Sequence, residues 1–534
     1  MDNSMKKIYM IGALLLMLLV TSCRQESDNL MAYDHADYLA FGKAENSYAE
    51  KFKVMWHGMD QYYALWDYEE EQGLDWDDVY NEYLPQFEAL DNRGKDNPVT
   101  DDELTEMLKK VLSPLHDGHF AMIWKNHATG NSVVYVPSQD RNATRDDAEV
   151  SEDFEPSLDY YSKPQNGEVM VDVNGDPIVQ EYGTRWEDLV STLQSTKGCG
   201  MKWIEAEMKR IASLTLPTEM EVFTYKSLNN LSYELNNVFK MNVRVAVPAY
   251  NNLVVKYGFL NVPGLTPFDP AFLETGISVK FALLRGNTGS IAYLYFSDFF
   301  LSTYLVKEAI ASTYDMSQPA TKYHVNSVAT VWSNWFNYIQ ILHKAGKLDG
   351  VIIDVRSNGG GMLYDGQFVA GALLPAGDFQ YGYSRFKRGT GRYDYSPLVP
   401  AYMRTMETEH EIIDDKPVVL LTNCMSESMS EMTAQTVKLM PNGTIIGKRT
   451  YGGLCGLTDN NQHSLNYSGY IGVDGVTPVY GYVPTLASFT MDKEQLEGYG
   501  ITPDIEVDFD YNEFIINDRD TQLDRALQFI RTGK

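Results

Sequence analysis

The sequence predicts an α/β core preceded by an N-terminal helical domain and a mixed α+β middle region. In residues 46–124 apolar side chains recur at helical spacing, whereas residues 125–285 show both helical and strand patterns. From residue 286 onward, short continuous apolar runs alternate with amphipathic helical patterns, as in sheets buried on both faces. The 534 residues exceed what one ordinary core holds, so several domains are expected.

Composition excludes several classes of protein. The 44% hydrophobic and 12% aromatic content is sufficient for packed cores and argues against long disorder. The net charge of -29 opposes binding to nucleic acid and to anionic membrane surfaces. Because the acidic residues are spread along the chain, they indicate a solvated surface rather than a specific cation-binding tail.

The first 23 residues have the pattern of an export signal. Lys6 and Lys7 precede the apolar run 8–20, which suits a signal-peptide core and is short for a membrane span. The run ends in "VTSC", which resembles the lipobox of bacterial lipoproteins. That resemblance implies cleavage before Cys23 and lipid attachment to it; an ordinary signal peptide is the alternative.

The lipoprotein interpretation predicts the first two segments of the chain and the location of the protein in the cell. Residues 1–22 are then the lipoprotein signal peptide and residues 23–45 a polar tether. A lipid on Cys23 would anchor the protein in the cell envelope of a bacterium, on the periplasmic face or the cell surface.

The helical domain, residues 46–124, contains three predicted helices. Phe52, Met59 and neighbouring apolar residues mark the first, and a second follows "LDWDD". The third begins at Thr100, which can form a capping box with Glu103, and Pro114 ends it.

The middle region, residues 125–285, is mixed in character. Here "VMVDVNGDPI" predicts a strand and turn, "MKWIEAEMKRIASL" a helix and "VRVAVPAY" a strand. The α/β core, residues 286–534, has four predicted strands at "SIAYLYF", "VIIDV", "PVVLL" and "TIIG". Its predicted helices contain residues 328–342, the stretch from Ser428 to Pro441, and residues 520–531.

Three cysteines lie beyond the anchor: Cys199, Cys424 and Cys455. Their spacing matches no zinc-binding pattern, and an odd number precludes complete pairing within the chain. Both a Cys424–Cys455 disulfide and two buried free thiols are compatible with the sequence.

Two predicted strands run into motifs that carry chemistry. The first is followed by "DVRSNGGGM", a glycine run whose backbone can present N–H groups to an oxyanion. The second is followed by "TNCMSESMSE", which contains Ser426, Ser428 and Ser430. A serine at a helix N-terminus gains from its free N–H groups, as a nucleophile would. Alternatively, Ser428 and Glu431 form only a capping box.

A serine nucleophile needs a base, and His119 in "LHDGHF" follows the helical domain at a predicted helix-to-strand transition. A single loop histidine is more often structural. His116 and His119 could also suggest a metal pair, but the sequence shows no carboxylate partner for them.

Five motifs together resemble one family. "SPLHDGHF", "IIDVRSNGGG", "SESMSE", "IGKRTYGG" and "EGYGITPDIEV" occur in this order. They resemble the tail-specific, or C-terminal-processing, serine proteases. The resemblance implies a ClpP/crotonase-like protease core, peptides or unfolded protein tails as substrates, and no cofactor. A degenerate PDZ-like domain within residues 125–285 stays open, because no convincing PDZ pattern is found there.

The family has two catalytic versions. In the first, the serine begins an S-x-S-E motif, which matches Ser428, and a lysine base follows in T-[YF]-G-K-G. Gly453 occupies that lysine position here, so the lysine version is absent. Lys448 lies elsewhere in the motif and is interpreted as structural.

The second version resembles the tricorn core protease and the interphotoreceptor retinoid-binding protein. The resemblance implies His119 as the base and Glu497, upstream of "GITPD", as the carboxylate that orients it. A fourth member next to the histidine is in doubt, because Gly118 occupies that place. We expect activity to fall as the His119 imidazole protonates, near its ordinary pKa of about 6.5.

These assignments complete a serine-protease template. Ser428 attacks the carbonyl, His119 transfers the proton, and the N–H groups of Gly359, Gly360 and Met429 hold the oxyanion. The sequence thus predicts an exported, lipid-anchored serine endopeptidase without a metal. The alternative is a catalytically inactive relative that binds a peptide or an apolar ligand.

Overall fold

A computed structural model describes residues 41–94, 96–143, 145, 156, 279–389, 391–408, 410–456, 469–510, 513–514 and 519–534. The predictions for the signal peptide, Cys23, Cys199 and almost all of the middle region lie outside these residues. Within the described part of the chain, no helix combines the length and the hydropathy needed to cross a bilayer.

The described residues divide into two compact units. Unit 1 contains the described residues up to 138 together with segments 385–397 and 455–487, and unit 2 contains the others. The helices are α1 Phe41–Ala44, α2 Tyr48–Tyr62, α3 Trp66–Glu71, α4 Trp76–Asp91, α5 Asp101–Leu112, α6 Pro137–Ala143, α7 Ser302–Leu305, α8 Lys307–Thr313, α9 Pro319–Lys344, α10 Met429–Leu439 and α11 Thr521–Thr532. The strands are β1 Ala121–Lys125, β2 Ser132–Tyr135, β3 Val279–Arg285, β4 Ser290–Phe296, β5 Leu348–Asp354, β6 Asp378–Phe386, β7 Val399–Arg404, β8 Val418–Thr422, β9 Gly443–Gly447, β10 Tyr470–Ile471, β11 Val479–Tyr482, β12 Leu486–Phe489 and β13 Ile505–Glu506.

Unit 1 contains helices α1 to α5 and an antiparallel sheet of order β10-β11-β1-β2. The predicted capping box begins α5: the Thr100 hydroxyl accepts the Glu103 N–H at 3.2 Å, and the Glu103 carboxylate accepts the Thr100 N–H at 3.0 Å. After α5 the chain turns directly into β1, which places His119 at the predicted helix-to-strand transition.

Unit 2 is built on a six-stranded sheet of order β13-β9-β8-β5-β4-β3. All neighbouring strands are parallel except the β3–β4 pair. Every residue of β4 and β8 is buried, because helices cover both faces of the sheet. Apolar residues of α9 and α10 pack on one face and those of α11 on the other. The predicted α/β core is confirmed.

In a parallel sheet of this kind, functional sites form at the carboxyl ends of the strands. Strands β5 and β8 are adjacent and parallel, with Asp354 paired to Leu421. Their carboxyl ends therefore lie side by side, and the two predicted motifs begin there.

Candidate active site

The loops after β5 and β8 are joined by a buried asparagine. The Asn423 side-chain oxygen accepts the Ser357 N–H at 2.8 Å, and its amide donates to the Ser357 hydroxyl at 3.0 Å. Asn423 has no exposed surface. These bonds fix the glycine-rich loop and the serine-rich loop against each other.

Ser428 has an unusual backbone conformation. Its φ is 57° and its ψ is -113°, values that L residues rarely adopt outside functional sites. It is half-buried and is the N-cap residue of α10, and Glu431 completes the capping box. Both sequence readings of Ser428 are therefore compatible: it begins the helix, and it lies on the sharp strand-to-helix turn that exposes a nucleophile.

The hydroxyls of the neighbouring serines, Ser426 and Ser430, are buried and hydrogen-bonded. Ser426 and Ser430 are completely buried. Their hydroxyls donate to the backbone oxygens of Val355, at 2.7 Å, and Asn358, at 2.8 Å. Both hydroxyls thus stabilise the loop junction, which leaves Ser428 as the best-placed nucleophile in the motif.

The glycine run approaches Ser428 closely. Gly360 has a φ of +87°, and a Cβ added there would lie 2.5 Å from the Ser428 Cβ and 2.8 Å from the Met429 nitrogen. The Gly360 N–H donates to the Asn358 side-chain oxygen at 2.9 Å. Gly359 is exposed with open space around it. Among the described residues, the N–H groups of Gly359 and Met429 have no acceptor.

An exposed apolar surface continues from the glycine run. Residue 299 forms a parallel bridge with Gly361, and the Met362 N–H donates to the Phe299 oxygen at 2.8 Å. The exposed residues here, which we call the apolar platform, are Phe300, Met362, Leu363 and Tyr364. Contiguous exposed apolar residues are typical of binding surfaces.

Glu497 binds Leu454, the residue after Gly453, which is a hydrogen-bond partner of Ser428. The Ser428 N–H donates to the Gly453 oxygen at 3.1 Å, and the next N–H, that of Leu454, donates to the Glu497 carboxylate at 2.7 Å. Glu497 has no exposed surface. The structure therefore connects Ser428 and Glu497 within unit 2 through two consecutive residues.

The place of the absent lysine is also defined. A Cβ on Gly453 would lie 2.8 Å from a carboxylate oxygen of Glu427, so this carboxylate lies beside the position. Lys448 instead binds Glu506 at 2.7 Å and Asp508 at 2.8 Å. Burial disfavours its charge, but these bonds outweigh burial and raise the pKa of Lys448. A lysine held charged in this way is a poor base, which agrees with a structural role.

His119 belongs to unit 1 and is held by its backbone. Its N–H donates to the Asp117 carboxylate at 2.7 Å, and the Ser138 hydroxyl donates to the Gly118 oxygen at 2.8 Å. Burial lowers the pKa of His119 to about 4, well below the value of about 6.5 expected from the sequence. Because Ser428 and Glu497 belong to unit 2, the grouping of the three residues into one triad stays a prediction.

The neighbouring His116 has a carboxylate partner that the sequence did not reveal. Its Nδ1 lies 2.7 Å from Glu69, which is completely buried and also accepts the His116 N–H at 2.9 Å and the Tyr63 hydroxyl at 2.7 Å. His116 therefore fixes the loop before His119. Glu69 is 47 residues away in sequence, so no local pattern could identify it.

Sequence reasoning also missed the buried amides that order the site. Asn423 directly follows β8 and binds Ser357 in the loop after β5. Asn358 lies a few residues after β5, and its side chain binds the Phe296 oxygen at the end of β4 and the Gly360 N–H. Their position after buried strands was a usable signal, because polar residues at strand ends are seldom buried without a partner.

Part of this chain is similar to a known peptidase family and to named proteases. Residues 322–507 match the model of peptidase family S41. The chain is therefore similar to S41 peptidases over this segment. It is 27% identical over 210 residues to a tricorn protease of Thermoplasma volcanium, which covers 39% of this chain and 17% of the relative. It is 28% identical over 162 residues to a carboxy-terminal-processing protease of Bartonella bacilliformis, covering 30% of this chain and 32% of the relative.

Two solved structures match the chain with TM-scores below 0.5. Mature CPAF matches with a TM-score of 0.45 and 11% identity, covering 91% of this chain and 97% of that one. The photosystem II D1 C-terminal processing protease matches with a TM-score of 0.27 and 17% identity, covering 43% of this chain and 48% of that one. The resemblance to tail-specific proteases is confirmed by the family match, although the chain spans less than a third of those two curated relatives.

Proposed function

We propose that the protein is an exported serine endopeptidase that cleaves peptides or unfolded protein tails, with Ser428 as its nucleophile. The observation that carries the proposal is the backbone of Ser428, which has a positive φ at the N-terminus of α10 and contacts the glycine run. Two buried serines flank it with their hydroxyls already bound. The S41 match over residues 322–507 supports the same reaction class.

The reaction follows from these positions. The Ser428 hydroxyl attacks the substrate carbonyl, and His119 takes its proton and later gives it to the leaving amine. The low pKa of His119 keeps its imidazole neutral at pH 7, which is the form a base requires. Glu497 orients the imidazole and stabilises its charged form.

Backbone N–H groups stabilise the oxyanion of the tetrahedral intermediate by hydrogen bonding. The N–H groups of Gly359 and Met429 are available for it, and α10 contributes the positive end of its dipole. The Gly360 N–H joins them only when it releases the Asn358 side chain, to which it is bound. One such donor contributes about 10²–10³-fold to turnover.

The apolar platform supports a peptide substrate. Three of its residues directly follow the glycine run, and Phe300 is next to Phe299, which is bridged to Gly361. Side chains next to the scissile bond can therefore bury apolar surface there. Export and a lipid on Cys23 would present this surface in the bacterial envelope, where unfolded tails of exported proteins are available. We include both in the proposal on the strength of "VTSC" and the run before it.

Turnover of an unstructured peptide by three variants tests the catalytic assignment. Ser428→Ala and His119→Ala should each lower kcat by roughly 10³-fold or more while the protein stays folded. Lys448→Ala is the matched control, because it removes two surface ion pairs, to Glu506 and Asp508, and should leave kcat unchanged. Loss of activity in Lys448→Ala with retention in His119→Ala would contradict the assignment. A folded wild type without turnover would favour the ligand-binding alternative.

A further inference from the structure

The carboxylate of Glu431 does more than a capping box requires. Glu431 lies in the first turn of α10 and has no exposed surface. It accepts the N–H of Ser428 at 3.2 Å, which belongs to the capping box. It also accepts the N–H of Gly452 at 2.9 Å, the N–H of Gly453 at 2.7 Å and the Thr450 hydroxyl at 2.6 Å. Three of its four donors therefore come from segment 450–453, outside the helix.

That segment reaches the second carboxylate of the site. The Leu454 N–H donates to Glu497 at 2.7 Å, and the Gly498 N–H donates to the Gly452 oxygen at 2.8 Å. Gly452 has a φ of +94°, and a Cβ there would lie 2.9 Å from backbone atoms of residues 498 and 499. The backbones on the two sides are thus in direct contact. A shift of segment 450–454 would move Glu497 relative to Ser428.

The ionised form of Glu431 fits this arrangement. A carboxylate is an acceptor only and can receive all four bonds, whereas an amide of the same size carries two N–H donors that would face the donors of Gly452 or Gly453. Burial raises the pKa of Glu431, and the bonds from Thr450, Gly452, Gly453 and Ser428 oppose that effect.

Ser428 needs such support because of its backbone. A φ of 57° with a ψ of -113° is strained for a serine and persists only where surrounding contacts over-determine it. The Ser428 N–H has two acceptors, Glu431 and the Gly453 oxygen, and Glu431 in turn holds the Gly453 N–H. Ser428, Glu431 and Gly453 therefore hold one another in place through hydrogen bonds.

We propose that Glu431 is a positioning residue of the peptidase reaction, whose ionised carboxylate holds Ser428 and the segment bearing the Glu497 contact in one fixed relation. The inference rests on the proposed function. It requires that loss of the charge lowers the rate of the chemical step, because displacement of reacting groups by about 1 Å can lower a rate about 10²-fold. Substrate affinity should change little, since Glu431 is buried beneath the site.

The test compares two glutamine variants with steady-state kinetics on an unstructured peptide. Glu431→Gln should lower kcat about 10²-fold or more and change KM by no more than roughly threefold. Glu103→Gln is the matched control, since Glu103 completes the capping box of α5 in unit 1 with the same chemistry. It should lower the melting temperature slightly and leave kcat unchanged.

A second variant covers the case in which Glu431→Gln does not fold. Thr450→Val removes the hydrogen bond from the Thr450 hydroxyl to the charged carboxylate, together with the one that this hydroxyl accepts from the Ile501 N–H. It should lower kcat on the order of 10-fold. The inference is overturned if the folded variants keep kcat within roughly threefold of wild type, or if only KM changes. An inactive wild type that also resists serine-directed probes refutes the proposed function and this inference together. An active wild type with an unaffected Glu431→Gln refutes this inference alone.

Discussion

Gly360→Ala perturbs a close backbone contact of Ser428, the proposed nucleophile. An added Cβ would lie 2.5 Å from the Ser428 Cβ, 2.7 Å from the Glu427 oxygen and 2.8 Å from the Met429 nitrogen. Two of these three atoms belong to the backbone, so no side-chain rotation relieves the contacts. The φ of +87° adds strain for any residue with a Cβ.

The magnitude follows from these two terms. A non-glycine residue in such a backbone region costs about 1–3 kcal/mol, and overpacking adds about 1–3 kcal/mol. We therefore expect Gly360→Ala to lower the free energy of unfolding by about 2–6 kcal/mol. For a unit of roughly 200 residues this corresponds to a fall of about 4–24 °C in melting temperature.

Gly359→Ala is the matched comparison for stability. Gly359 is exposed, its φ is not positive, and nothing lies within 4 Å of an added Cβ. Its effect on unfolding should stay within about 0.5 kcal/mol. Thermal unfolding of both variants, together with the rate of labelling by a serine-directed probe, checks the reasoning. Equal melting temperatures and labelling rates for wild type, Gly359→Ala and Gly360→Ala would refute it.

Three other outcomes are expected. Asp520→Ala should destabilise unit 2 by about 3–5 kcal/mol in urea unfolding. It removes a carboxylate that lies 2.6 Å from Nη2 of the buried Arg356, and it removes the N-cap of α11. Asp524→Ala, which removes an exposed ion pair, should cost less than about 1 kcal/mol. Burial lowers the pKa of His119 to about 4, so folding favours the neutral imidazole. The contribution of His119 to stability is therefore complete above about pH 6.5 and is lost as pH falls toward about 4. His119→Gln should reduce this acid-induced loss, and an unchanged pH dependence of unfolding would contradict the burial of the imidazole. Cys23→Ala should move the mature protein from the detergent phase to the aqueous phase, whereas identical processing and partitioning of both forms would contradict the lipid anchor.

The sequence predicted the core of unit 2 well because its signals are local. A strand buried on both faces needs a continuous apolar run, and "VIIDV" and "PVVLL" correspond to β5 and β8. The capping box at Thr100 likewise depends on residues three apart, and the structure contains it. Within the described residues, Cys424 and Cys455 are buried and are not joined by a disulfide, so the Cys424–Cys455 bridge that the sequence also allowed is not formed.

What the sequence left open depends on backbone angles and distant partners. Among three serines in five residues, only the resemblance to the S-x-S-E motif selected Ser428; the physical difference lies in the φ of Ser428 and in the buried hydrogen bonds of Ser426 and Ser430. Segment 385–397 joins unit 1, where Arg385 binds Asp67 at 2.6 Å across 318 residues of sequence. The pKa of His119 was misjudged for the same reason, because burial comes from neighbours that local sequence does not show.

Mass-spectrometric mapping of a fluorophosphonate-labelled peptide tests most directly whether Ser428 is the nucleophile. In the folded wild type we expect the label on Ser428 alone, and we expect Ser428→Ala to abolish labelling with a fall in stability of no more than about 1 kcal/mol. Labelling at Ser426 or Ser430, whose hydroxyls are buried and bound, or no labelling of correctly folded protein, would contradict the account.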